Sequence, residues 1–386
     1  MPGSTRSAVI MAVLVLCACD GSRDVTAPPT RSAAVNAPAR QLAAGAAISV
    51  DVFATGLNSP RGLKFGPDRA LYVAEGGTGG TMSTTATQCQ QVPAPIGPYS
   101  GGFTARISKI SANGSRSTVV GGLPSSQTSP ASGSLVSGVA DVAFVGDQLY
   151  GIEAAAGCSH GLAGTANTLF RVNGDGSTTD VVDLSAYLAA HPVAHPSFDD
   201  LEPDGTWYSM IAVRGHLYAV EPNHGEIDRI SPATGAVKRL ADWSSEPWWG
   251  PTVLAYRGHF FVGNLGTFPV AAGTEQVRKL TPAGTYTTAA SGLTTVLGIA
   301  FDARDRMYVL ESMPVAGGPG PQELFQGRVE RVEPSGAKTV IASGLSFPTG
   351  MTLGPDGNLY VSNFGFGAPA GAGQIVRITL QRGRAE

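Results

Sequence analysis

Short runs of alternating apolar and polar residues, broken by Gly, Pro, Asn and Asp, recur along this chain. The cleanest is GLSFPTGMTLGPDGNLYVSN, Gly344 to Asn363, in which Thr349–Leu353 and Leu359–Val361 flank Pro355-Asp356-Gly357-Asn358. Alternation around an Asp-Gly turn predicts an antiparallel β-hairpin. Five degenerate copies precede it: Gly56–Glu75, Leu135–Glu153, Asp204–Glu221, Gly250–Asn264 and Gly292–Glu311. After each hairpin comes a strand with an apolar-x-basic-apolar signature, at Ile107–Ile110, Leu169–Val172, Ile227–Ile230, Val277–Leu280, Val329–Val332 and Ile375–Ile378. Most of these lead through a polar Gly turn, such as Asn113-Gly114 or Ser335-Gly336, into a short closing strand.

Four antiparallel strands per repeat and six repeats predict an all-β, six-bladed β-propeller over residues 46–380. The chain ends complete the count. No fourth strand follows Ile378, and 381–386 read as a short tail, whereas an orphan strand, Ile48 to Thr55, precedes the first hairpin. Its ending, Ala54-Thr55-Gly56-Leu57, matches Ala342-Ser343-Gly344-Leu345 and Ala290-Ser291-Gly292-Leu293, which end the fourth strands of blades five and four. The N-terminal strand is therefore expected to complete blade six and close the ring, removing an open edge.

In a propeller, the turns joining strands one to two and three to four share one face; the two-to-three loops and blade connections share the other. Here the first set are tight, as in Gly66-Pro67-Asp68, and the second set hold nearly every insertion, at 76–102, 154–168, 183–203 and 312–327. Long loops gathered on one rigid face carry function, so this is the expected binding face. Cys89 and Cys158 fall in two-to-three loops of adjacent blades on that face. A disulfide between them would pin two long loops, with free thiols as the alternative.

The length of 386 residues fits one closed all-β domain, and 42% apolar residues with 51 Gly and 27 Pro fit a turn-rich β protein. Only 14% of residues are charged, the formal net charge is −3, and no basic stripe marks a nucleic-acid partner. A monomer is expected. Arg6 precedes an apolar run, Ala8 to Leu16, that is too short to span a bilayer. The run ends Leu16-Cys17-Ala18-Cys19, similar to a bacterial lipobox. Residues 1–19 therefore read as a lipoprotein-type signal peptide with Cys19 as the lipidated residue, ordinary signal cleavage nearby being the alternative. Residues 20–45, rich in small residues and Pro, read as a flexible tether. The expected location is exported, as a periplasmic or cell-surface lipoprotein touching the membrane only through its anchor, or as a secreted protein.

The second strands of the six hairpins end on Glu75, Glu153, Glu221, Asn264, Glu311 and Asn363. Either each caps its strand by accepting loop N–H bonds, or the six form a ring of oxygen ligands round the channel mouth. Carboxylates so placed would raise one another's pKa unless a cation or a basic group compensates. Oxygen-only ligands favour Ca2+, with Glu75, Glu153, Glu221 and Glu311 as metal candidates. His224 follows Glu221 in EPNHGE, and the two could act as base and orienter, or bind metal. His160 neighbours Cys158; His216 and His259 occupy Arg-Gly-His turns on the short-turn face; His191 and His195 lie in a helix-like insertion, AYLAAHPVAHP. None has a third ligand at zinc spacing. Trp248-Trp249, opening blade four, and Trp207 either form an apolar platform for a ligand or pack between blades. No GxSxG, HExxH, Walker or dinucleotide fingerprint is present.

The pattern P-x-G…PDG-x-LYV, followed by apolar-x-Arg-Ile, resembles NHL-type and gluconolactonase-like six-bladed propellers. More specifically, TGLNSPRGLKFGPD, CQQVPAPIGPYSGGFTARISKI, GCSHGLAGTANTLFRVN, EPDGTWYSM and EPNHGEIDRI, spanning about residues 50–380, are similar to the ScyD/ScyE family. That family is named for exported proteins encoded with the biosynthesis of scytonemin, a dimeric indole-phenol pigment. The resemblance implies the propeller fold and export, and raises a pigment-related role. Gluconolactonase-like propellers bind a divalent cation at the channel mouth through acids and amides at strand starts. Arg61, Val139 and Thr349 stand at such starts here and depart from that set. Streptogramin lyases carry a Glu/His site, which Glu221 with His224 resembles. Two functions are expected: a binding propeller whose long-loop face holds a small molecule or protein partner, or a metal-dependent hydrolase or lyase at the channel mouth.

Overall fold

The computed structural model describes residues 49–196, 201–246, 249–266, 268–281, 285–317 and 324–380. The signal segment with Cys19, the tether, the tail and Trp248 lie outside the described residues. The first strand, β1 (Val50–Leu57), belongs to the last blade. Blade one is β2 (Pro60–Phe65), β3 (Leu71–Glu75), β4 (Ser100–Ile110) and β5 (Arg116–Gln127), with a two-residue β6 (Val136–Ser137) on its outer edge. Blade two is β7 (Val139–Val145), β8 (Gln148–Glu153), β9 (Thr168–Val172) and β10 (Thr178–Asp183). The helix α1 (Leu184–Ala190) leads into blade three, β11 (Ser209–Val213), β12 (His216–Glu221), β13 (Glu226–Ile230) and β14 (Val237–Asp242). Blade four is β15 (Pro251–Tyr256), β16 (Phe260–Asn264), β17 (Glu275–Leu280) and β18 (Tyr286–Leu293). Blade five is β19 (Val296–Phe301), β20 (Met307–Glu311), β21 (Gly327–Val332) and β22 (Lys338–Leu345). Blade six takes β23 (Gly350–Leu353), β24 (Leu359–Asn363) and β25 (Gly373–Ile378) from the C-terminus and β1 from the N-terminus.

The fold is thus the all-β six-bladed propeller that the repeats predict, with the N-terminal strand closing it. β1 pairs antiparallel with β25, Val50 opposite Ile378 and Leu57 opposite Gly373. The first strands of successive blades pack on one another round the ring, and β23 against β2 completes the circle.

The alternation in each strand buries side chains on both blade faces, so the core is a set of layers between neighbouring blades. Ile107 and Val120 meet Val142 and Leu149 between blades one and two; Ile152 and Leu169 meet Met210 and Leu217 between two and three. The closing layer sets Ala54, Leu57 and Ile375 against Leu63, Leu71 and Val73. Each fully buried Leu, Ile or Val adds about 1.5–3 kcal/mol. On the short-turn face the turn Asp of blades one, five and six is held locally: Tyr72, Tyr308 and Tyr360 donate to Asp68, Asp302 and Asp356 at 3.0, 3.1 and 3.1 Å.

Two features go beyond the repeat pattern. β4 and β5 run to 11 and 12 residues, lifting a hairpin above blade one that recruits β6. The helix-like insertion forms α1, started by Asp183, whose side chain accepts from Ala186 N at 2.7 Å.

A chain beginning after Leu57 leaves β25 as an open edge and exposes the closing layer. It is expected to lose the cooperative thermal transition of the full chain, read by circular dichroism.

Candidate functional site

Three insertions meet on the long-loop face. Cys89 and Cys158 are disulfide-bonded, with Cα atoms 6.1 Å apart across 69 residues of sequence. Thr84 donates to the Cys158 carbonyl at 2.6 Å, and Ser159 donates from N and Oγ to Asp204 Oδ2 at 2.7 and 2.6 Å. His160 sits beneath, its Nδ1 2.9 Å from Ser126 Oγ and its Nε2 3.2 Å from Glu202 Oε2. Tyr99 donates to Glu202 Oε1 at 2.7 Å, and burial, then the Glu202 charge, push its phenol well above the usual range. A hydroxyl–imidazole–carboxylate chain resembles a nucleophile, base and orienter. Here Ser126 and His160 are each 1% exposed, and Ser126 is laddered to both Gly101 and Ser137. The chain of bonds fastens three loops together.

The six strand-two ends lie between their own blade and the loop before it. Glu75 accepts from Asn58 N at 2.6 Å and from Arg106 Nε and Nη2 at 2.8 and 2.7 Å. Glu311 accepts from Thr294 N and Arg328 Nε, both at 2.6 Å. Glu221 accepts from Thr206 N at 2.9 Å, and Asn363 from Ser346 N at 2.7 Å. Asn264 accepts from Gln276 N at 3.0 Å. In five blades the side chain thus fixes a backbone N–H, as a cap does. Glu153 differs, because both its oxygens are buried without a hydrogen-bond partner.

A single cation held by this ring of second-strand ends does not fit, because in five blades its oxygens are taken by N–H donors. Among the described residues, no three His, Cys, Asp or Glu side chains are gathered to hold a metal ion.

Glu221 and His224 do come together. His224 donates from its backbone N to Glu221 Oε2 at 2.6 Å and places Nδ1 3.0 Å from the same oxygen. Opposite Glu221, where blades one and five carry Arg106 and Arg328, blade three carries Glu226. Arg239 reaches in from β14 to hold Glu226 at 2.7 and 2.9 Å, and also donates to the Pro192 carbonyl at 3.2 Å beyond α1. Next to this pair, burial and the Glu226 charge push the wholly buried Asp228 carboxyl up to about 8.

Trp249 is covered: its ring lies 3.9 Å from the Arg278 guanidinium carbon, with Tyr286 at 3.8 Å and Trp243 at 5.0 Å from the same carbon. Trp207 is fully buried between blades two and three. His191 stacks on Tyr187 at 4.6 Å.

The channel holds residues that sequence reasoning missed. A cavity of about 30 Å³, about the volume one water takes up in the liquid, is lined by Lys64, Asp141, Ser209, Leu254, Ile299 and Met351, one residue from each blade. Asp141 accepts from Val142 N and Met210 N, both at 2.8 Å, with Lys64 Nζ at 3.9 Å. Burial still leaves its carboxyl raised. Gly62 makes room for it, since an added Cβ would stand 1.9 Å from Asp141 Oδ1. Toward the long loops, half-buried Tyr208 crosses the channel from blade three and donates to the Thr349 carbonyl of blade six at 3.1 Å. Arg61 stands beside it, donates to the Val136 carbonyl, and its charge opposes the upward push of burial on the Tyr208 phenol. One signal was legible: Asp141 is the only acid in the six first strands.

No family profile and no curated protein sequence matches the chain, so the ScyD/ScyE resemblance rests on sequence motifs alone. Solved structures do match in shape. A protein of unknown function from Bacteroides thetaiotaomicron aligns with TM-score 0.54 at 12% identity, over 87% of this chain and 76% of its own. A gluconolactonase from Xanthomonas campestris gives 0.52 at 10%, over 86% and 89%. A PQQ-bound aldose sugar dehydrogenase from Streptomyces coelicolor gives 0.53 at 14%, over 88% and 100%. These are gluconolactonase- and NHL-like propellers. At such identities they show the fold alone.

Two outcomes check this geometry. Arg328→Ala strands the buried Glu311 carboxylate and is expected to cost about 3–5 kcal/mol in urea denaturation. Asp228 is raised from 3.8 to about 8, so its contribution to stability is present at low pH and lost as pH rises toward 8. Asp228→Asn should melt near the wild type in acid and above it at pH 8.

Proposed function

We propose that this chain is an exported, lipid-anchored propeller that binds a small molecule at the channel mouth on its long-loop face. The observation that carries the reading is the floor of that mouth. Arg61 and Tyr208 are half-buried there, and Tyr208 bridges to Thr349 across the channel. A guanidinium and a phenol side by side suit a ligand that presents a carboxylate or carbonyl oxygen to them, and Leu254, Leu297, Ile299 and Met351 give the channel apolar surface for a ring portion. The loops tied by Cys89–Cys158 and by His160 form one side of the rim, so the surface is preorganised. Export rests on the apolar run before Cys19, and a pigment-type aromatic ligand rests on the ScyD/ScyE-like motifs. The solved neighbours named for gluconolactone and aldose sugars make oxygen-rich sugars a second class to try.

A metal-dependent hydrolase or lyase is the second reading, favoured by the Glu221–His224 contact of 3.0 Å. The binding reading is preferred because both Glu221 oxygens already serve backbone N–H groups.

A thermal-shift panel of sugar lactones, aldonic acids and indole-phenols should yield stabilising ligands. Losing a charge-assisted bond costs about 1.5–3 kcal/mol, so Arg61→Ala should weaken such a ligand by about 10- to 100-fold in calorimetry. Unchanged affinity in both Arg61→Ala and Tyr208→Phe would place the ligand elsewhere.

A further inference from the structure

Six equivalent positions and one exception lead to a second site, separate from the channel. In blades one and five, the acid at the end of the second strand meets two partners: a backbone N–H from the preceding loop and an arginine opposite it on the third strand. Blade two lacks both. The loop that should cap Glu153 is Val136–Ser137, and that segment is committed to blade one, pairing with Ser126 and Gln127 as β6. The register of β8 with β9, Ile152 opposite Leu169, brings Thr168 opposite Glu153, where blades one and five place arginine. Glu153 is left 2% exposed with neither oxygen hydrogen-bonded.

A buried carboxylate without partners is costly unless something neutralises it. The ladder shows what shares its space. Cross-strand neighbours point to the same sheet face, so Glu153, Thr168, Phe170 and, opposite Phe170, Asp180 all face blade one. Thr168 Oγ1 lies 3.2 Å from Asp180 Oδ1. Exposure falls in order from Asp180 at the surface, through half-buried Thr168, to buried Glu153. Thr168 and Asp180 thus place further oxygens on the sheet face that carries the unpaired carboxylate, and among the described residues no salt bridge reaches either acid.

We propose that this crevice between blades one and two binds a hard cation of the Ca2+ class, held by Glu153 and Asp180 with the Thr168 hydroxyl. Two carboxylates, a hydroxyl and water make an oxygen-only set of flexible geometry, which suits Ca2+ over zinc or copper. The ion takes the place that the arginines of blades one and five fill from within the chain. The site lies where β8 ends and β9 begins, with Asp180 from within β10, whereas the channel cavity is lined mainly from the first strands of the blades.

The test uses the chelator-stripped full chain with CaCl2 as the probe, read by isothermal titration and by melting temperature. The wild type should bind one Ca2+ with a Kd of roughly 10⁻⁴ to 10⁻³ M, the range of few-carboxylate exported sites, and melt higher with it. Glu153→Gln and Asp180→Asn should each weaken binding about tenfold or more. Thr168→Arg supplies the missing guanidinium internally, so it should melt above the wild type in chelator and no longer respond to Ca2+. Both outcomes of that variant differ from simple misfolding. A wild type with no heat of binding and no Ca2+-dependent melt would overturn the site. So would Glu153→Gln and Thr168→Arg proteins that bind Ca2+ as the wild type does.

Discussion

The pairing of β1 with β25 is the constraint on which the rest depends. A propeller has no central core; its apolar residues lie in layers between blades, and a layer exists only if both blades stay adjacent. Five of the six layers join blades that follow one another in sequence. The layer joining blade six to blade one has no such chain connection, so the N-terminal strand holds it. Ala54 and Leu57 take part in that layer while their backbone completes the last sheet. Closure therefore protects an edge and buries a face through the same eight residues.

Within that ring, one capping position recurs six times and is used in four ways. Glu75 and Glu311 meet both an N–H and an arginine, Asn363 and Asn264 use amides that need no counter-charge, and Glu221 takes two N–H groups beside His224. Charge type follows the partner across the strand: acid with arginine, Asn363 with Gln374. Blades two and three break that rule, with Thr168 and Glu226 opposite their acids. The loop of blade two holds one end of the disulfide and α1 leads into blade three, while the longest insertion, 76–102, belongs to blade one.

The channel obeys a different logic. Its lining mixes Leu254, Leu297, Ile299 and Met351 with Lys64, Asp141, Tyr208 and Ser209; Asp141 is bonded by two N–H groups and Tyr208 by the opposite blade. Tyr208 makes the long-loop face a cup with a floor.

Strand count, blade boundaries, the closing strand and the loop-rich face were all legible in the sequence, because period-2 alternation and Asp-Gly turns are local and repeat six times. So was the Cys89–Cys158 bond, since repeat register alone sets both residues on adjacent loops. The roles of individual polar residues were not. Glu75 and Glu153 end nearly identical hairpins, yet one is saturated and the other bare, because β6 pairs with a neighbouring blade and Thr168 replaces an arginine. Tyr208 and Thr349 lie 141 residues apart and meet only because blades three and six stand opposite one another, with two blades between them on each side of the ring. Local pattern fixes which strands form, whereas a side chain's partner depends on which blade it faces, and that is decided only when the ring closes.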